Sequence, residues 1–139
     1  MIQLVDDQLL GRILRGDPAP QSRAEIFTTG YWYVRLCQAV LGASERTGVL
    51  SGPFAALPVE ARERATHGLL ELPDAIGLLS LRELGPSIGQ LRSRHHLNIL
   101  GTEVLAAATR LEAAVFLSAP SPRLQAALEA EDRPVTLVG

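Results

Sequence analysis

Ile2-Gln3-Leu4-Val5-Asp6-Asp7-Gln8-Leu9-Leu10 decides how the rest of the chain is read. A short apolar run stops at two carboxylates, and a helical pattern begins at once: Leu9, Leu10, Ile13 and Leu14 recur at helical spacing. Asp7 is placed to cap that helix, because a carboxylate just before the first turn accepts its unpaired N–H groups. A strand that runs straight into a helix puts the acid between them at the strand's carboxyl end. In open α/β sheets that edge holds the ligand. Asp6 is therefore the first candidate for chemistry.

The same alternation continues downstream. Gly16 to Ser22 carries two prolines and a glycine and reads as a loop. Glu25 to Thr29 is a short run of β-favouring residues closed by Gly30. Tyr31 to Leu41 follows as a helix whose inward face is expected to be Tyr33, Val34, Cys37, Val40 and Leu41. Gly42 to Gly52 is loop-like, and a helix is expected from Pro58 to Leu70, with proline in its first turn. Ile76 to Leu81 is nearly all apolar and short, which suits a buried strand, and a helix from Leu84 to Arg94 comes next. The last third repeats the pattern: a helix over Thr102 to Leu111, a strand over Ala114 to Ser118, a helix over Pro122 to Ala130 and a strand over Val135 to Val138. Five strands alternating with helices imply one domain over residues 1–139. Its class is a doubly wound α/β fold, a mostly parallel five-stranded sheet with helices on both faces.

Composition narrows the function. The net charge is −2, which offers no bulk field for nucleic acid, and all 13 basic residues are arginines, so any phosphate contact would be made by a planar guanidinium. Cys37 is the only cysteine, which excludes an internal disulfide and suits a reducing compartment; its apolar neighbours point to an inert, buried thiol. No basic region precedes an apolar stretch at the N-terminus, and no apolar run reaches the length of a membrane span. A cytoplasmic location with no membrane partner is expected. His95-His96 point about 100° apart on a helix and lack a third zinc ligand at a suitable spacing, so they read as solvated or partly packed. With Arg92 and Arg94 they make a small basic stretch.

In several places the sequence resembles the PIN domain family, small α/β proteins that include many metal-dependent ribonucleases and many toxins of toxin–antitoxin pairs. Leu4 to Leu10 looks like the family's opening strand and helix, and Phe27 to Leu36 like its second strand and following helix. Gly101 to Leu111 is similar to the segment in which an acid opens an alanine-rich helix, and Val115 to Pro120 is similar to the fourth strand. The resemblance implies three or four carboxylates around one or two Mg²⁺ or Mn²⁺ ions, hard cations that take oxygen ligands and can activate water against a phosphodiester. Asp6 matches the first acidic position and Glu103 the third, so these are the catalytic and metal-ligand candidates if the domain is active. Arg35-Leu36 stands where glutamate and leucine are usual, and Pro120 stands near the usual place of a fourth acid. Arg35 is therefore expected as a counter-charge to Asp6 and Glu103, in the space a metal would fill. Asp7, Thr28 and Ser118 are further polar candidates for the same cleft.

Three functions stay open on the sequence. One is a PIN-like domain with an eroded acidic site and no metal, acting as a binding or regulatory module. Another is an active ribonuclease with Mg²⁺ or Mn²⁺, RNA as substrate and an antitoxin-like protein partner. The third is a structural subunit that forms a homo-oligomer through its helices.

Overall fold

A computed structural model describes residues 1–42 and 48–139. The expected loop from Gly42 to Gly52 falls partly on residues 43–47, which lie outside the described residues. Five strands, β1 (Ile2–Val5), β2 (Glu25–Thr28), β3 (Ile76–Leu78), β4 (Ala114–Leu117) and β5 (Val135–Leu137), form one sheet in the order β3-β2-β1-β4-β5. Every neighbouring pair is parallel. The helices are α1 (Asp7–Leu14), α2 (Gly30–Leu41), α3 (Gly52–Ala55), α4 (Val59–Leu70), α5 (Leu81–Arg94), α6 (Ile99–Leu111) and α7 (Pro122–Ala130).

The fold is the doubly wound α/β class. Alternate side chains of the central strands enter opposite cores, as a pleated strand requires. Leu4, Val115 and Leu117 join a cluster with α5, α6 and α7, while Val5 and Phe116 join one with α1, α2, α3 and α4. A sheet covered on both faces accounts for the lack of polar alternation along β1 and β4. Gln3 is the exception in β1. It is fully buried, donates from Nε2 to the carbonyls of Gln21 and Ala24, and accepts from the Gln21 N–H, so it fixes the loop between α1 and β2.

The chain winds from β1 outward to β2 and β3, then crosses back to start again at β4 on the other side of β1. The strand order thus reverses between β1 and β4. At such a point the two following loops diverge and leave a crevice at the carboxyl edge.

Several expected boundaries and faces shift. Helix α2 turns Trp32 and Leu36 inward, whereas Val34 and Leu41 are exposed. Trp32 packs with the α5–α7 cluster and Leu36 with the opposite one, so the first turn of α2 overhangs the sheet edge. Cys37 is half-buried. Helix α5 starts at Leu81, not Leu84, because Ser80 caps it by accepting from the Glu83 N–H; Pro86 then lies inside the helix. The strand expected up to Leu81 ends at Leu78. Helix α6 starts at Ile99, capped by Asn98 through the Gly101 N–H at 2.8 Å.

Three helix ends, those of α1, α6 and α7, follow one rule with different residues. After α1 the Gly16 N–H bonds to the Ile13 carbonyl and the Asp17 N–H to the Arg12 carbonyl, with Gly16 in a left-handed conformation at φ 105°. This pairing satisfies the last carbonyls and favours glycine at the left-handed position. The same two bonds recur after α6 and α7, where Glu112 (φ 51°) and Asp132 (φ 57°) hold that position.

Candidate functional site

Asp6 sits where β1 meets α1 and beside the end of β4, at the strand-order reversal. The residue is 6% exposed. Oδ1 accepts from the Leu9 N–H at 2.9 Å, so Asp6 caps α1, the role expected of Asp7. The correction follows from register: the helix begins at Asp7 itself, one residue earlier than a cap at that position allows. Oδ2 accepts twice from Ser118, from its N–H at 2.7 Å and its Oγ at 2.6 Å. One side chain thus caps the first helix and clamps the loop after β4 to the end of β1.

Thr28 closes the neighbouring strand and is 1% exposed. Its hydroxyl donates to the Val5 carbonyl at 2.8 Å, which holds the carboxyl ends of β1 and β2 together. Thr29 follows as the cap of α2, accepting from the Trp32 N–H at 3.2 Å. The strand expected to run to Thr29 ends at Thr28, because the Thr29 hydroxyl serves the start of α2.

Glu103 is completely buried. Its Oε2 accepts from the Gly30 N–H at 3.1 Å and its Oε1 from the Tyr31 N–H at 2.9 Å. Both donors belong to the first turn of α2, where free N–H groups and the helix dipole favour a negative charge. The reading of Glu103 as an acid in the first turn of its own helix fails, because α6 starts four residues earlier. Its carboxylate instead serves the start of α2. The approach is close: a Cβ added at Gly30 would lie 3.1 Å from Oε2. Gly30 is thus a position where the absence of a side chain is used.

Arg35 does not join Asp6 or Glu103 by a salt bridge. Its Nε lies 3.5 Å from Asp7 Oδ2, beyond ordinary hydrogen-bond length, and its side chain is 56% exposed. Asp7 is 8% exposed. Burial, and then the charge of Asp6 beside it, push its carboxyl above the ordinary range, and Arg35 offsets this only in part.

These groups border a cleft of about 280 Å³ at the carboxyl edge of the sheet. Asp6, Asp7, Trp32, Arg35 and Ser118 line it, with Leu117 and Leu124 among the apolar walls. Glu103 and Thr28 are not among its lining residues. The structure therefore brings Asp6, Asp7, Arg35 and Ser118 to one cleft and places Thr28 and Glu103 in the framework at the same sheet edge. Among the described residues no group of three or more His, Cys, Asp or Glu side chains is placed to hold a metal ion. Nor is any helix among them long and apolar enough to cross a membrane. A second cluster lies between α5 and α7. Glu131 Oε1 accepts from Arg94 Nη2 at 2.8 Å and lies 3.0 Å from His95 Nε2. The hydrogen bond from His95 is the chief cause of a Glu131 carboxyl held below its ordinary range.

Comparison with known protein families finds no family that matches this chain, and comparison with curated proteins finds no relative.

Proposed function

We propose that the chain is a PIN-like domain whose acidic cleft has been given over to structure, and that it works as a binding or regulatory module. The observation that carries this reading is the bonding of the two expected acids. Asp6 accepts three hydrogen bonds from Leu9 and Ser118, and Glu103 accepts two from the start of α2. A carboxylate offers about four lone-pair directions. Asp6 thus keeps about one for any ligand, and Glu103 faces backbone in a fully buried setting. A divalent ion needs several oxygen donors pointing at one centre. These residues fit a clamp and a cap better than a two-ion carboxylate centre.

One observation favours the alternative of a metal-dependent ribonuclease, of the kind found as toxins. Asp7 also lines the cleft beside Asp6, and a cation there would relieve the crowding of the two acids. Cleavage of a labelled RNA in Mg²⁺ and in Mn²⁺ tests the choice, with Asp6→Ala as control. The module reading expects no cleavage above background in either metal. Metal-dependent cleavage that disappears in Asp6→Ala sinks it.

A further inference from the structure

The cleft does not end at Asp6. It opens into a second depression of about 350 Å³, the two sharing Arg35, Leu100, Ser121 and Leu124 as walls. The second opens into a third of about 470 Å³ through His96, Leu97 and Arg123. Together they form one groove from the strand-order reversal outward, between the entry to α6 and the first turns of α7.

We propose that this groove receives an extended acidic and apolar segment of a partner protein. The proposal rests on the reading of the domain as a binding module and supplies the chemistry of its partner. Charge is the first argument. None of the residues lining the outer two depressions is acidic, whereas the guanidinium groups of Arg35 and Arg123 line them, beside His96 and a His95 whose Nε2 is already paired with Glu131. That is a local reversal of sign in a chain of net charge −2. Among the described residues Arg123 has no carboxylate partner. Arg35 makes only the long approach to Asp7, so its guanidinium can still take a bidentate carboxylate.

The apolar lining is the second argument. Leu97, Leu100, Leu124 and Ala127 line the same two depressions as the charged groups. An extended chain turns alternate side chains to opposite sides, so a segment alternating acidic and apolar residues can meet the guanidinium groups and the apolar lining together. The lining discriminates against a single-stranded nucleic acid. Such strands are held by aromatic platforms on which bases stack. The outer depressions have no Trp, Tyr or Phe, and Trp32, at the inner end, is 4% exposed.

The test selects nine-residue peptides from a random display library on the whole chain. Binding of the best labelled peptide and of a ten-residue oligouridine is then measured by fluorescence anisotropy. We expect the selected peptides to be rich in Asp or Glu alternating with apolar residues. Arg123→Glu should weaken their binding about tenfold or more, since it sets like charges face to face. Arg92→Glu, an exposed change on α5 outside the groove lining, should leave binding unchanged. Selection without acidic enrichment, binding indifferent to Arg123→Glu, or oligouridine binding tighter than the peptide would each overturn the proposal. Asp6-dependent RNA cleavage would overturn the module reading alone, because peptide binding has its own readout.

Discussion

Replacing Glu103 by glutamine keeps the shape of the side chain and removes its charge, so it separates a cap from a metal ligand by the sign of the effect. In the folded protein the carboxylate accepts from Gly30 and Tyr31 at 3.1 and 2.9 Å with no exposure to solvent. Glutamine has one carbonyl oxygen, so one N–H keeps an acceptor and the other faces an NH₂ group. An unpaired buried donor costs about 1–3 kcal/mol. Losing the charge at a helix N-terminus in a partly buried setting costs up to about 2 kcal/mol more. The smaller desolvation of an amide returns part of this. The expected net loss is roughly 2–4 kcal/mol, or a fall in Tm of about 5–15 °C for a domain of this size. Glu103→Ala leaves both N–H groups unpaired beside a void and should cost more, about 3–5 kcal/mol. Urea unfolding in EDTA, with the slope checked for two-state behaviour, measures both variants. Faster hydrogen exchange at the Gly30 and Tyr31 amides should accompany the loss. A ligand in an unneutralised carboxylate cluster predicts the opposite, because removing one of several repelling charges stabilises the metal-free fold. Glu103→Gln as stable as the parent, or more so, would refute the cap.

Asp7→Asn should raise Tm at pH 7 by about 2–4 °C, the size common for relieving one unfavourable charge. The folded carboxyl is raised, first by burial and then by Asp6, so its ionised form costs stability at neutral pH. That cost disappears as pH falls through the raised folded value towards 3.8, and the variant should lose its advantage by pH 4; a lower Tm than the parent at pH 7 would show that the Arg35 attraction outweighs burial. Glu112→Gly should stabilise by about 0.5–1 kcal/mol in thermal melts, since a left-handed residue with a Cβ gives way to one without. Ser118→Ala removes the 2.6 Å bond to Asp6 and should cost about 1–2 kcal/mol in urea unfolding, with both backbone donors to Asp6 retained.

The architecture was legible because each strand carried its own signal. Buried parallel strands are short continuous apolar runs, and Leu4-Val5 and Val115-Phe116-Leu117 read as that. Helix starts were less legible. The expected start of α6 at Thr102 makes Glu103 a first-turn acid, whereas the Asn98 cap starts the helix three residues earlier and leaves Glu103 to serve α2. The short helix α3 was hidden in glycine- and proline-bearing sequence that resembles a loop. At α2 the expected face is right in part: Tyr33, Cys37 and Val40 pack on the core, but Trp32 and Leu36 take the most buried places and Val34 and Leu41 turn out to solvent. Side-chain partners were the least legible. Acids at Asp6 and Glu103 announce a sheet edge, but nothing in one sequence says whether a carboxylate meets an ion, an arginine or a backbone N–H. Glu112 and Asp132 show the same limit, since a left-handed position marked by glycine at Gly16 is unmarked when an acid holds it.

The bonding of Asp6 links the fold to the proposed role. A doubly wound sheet creates a crevice at the strand-order reversal whether or not anything binds there, because the loops after β1 and β4 leave in different directions. Those loops need a tie, and Asp6 supplies it by holding Leu9 with one oxygen and Ser118 with the other. An acid used in this way ties the two sides of the crevice together and leaves little lone-pair capacity for a cation. Asp7 is then the less occupied carboxylate, and Arg35 stands opposite it at 3.5 Å, so the inner end sets two carboxylates against one guanidinium. Further out, Arg123 and His96 face the groove with no acid beside them in its lining. Under the proposed reading, an inner end whose first acid is spent on Leu9 and Ser118, and an outer run lined by Arg123 and apolar residues, suit an acidic polypeptide better than hard cations. The clamp and the groove can be tested apart, since Ser118→Ala acts on the first and Arg123→Glu on the second.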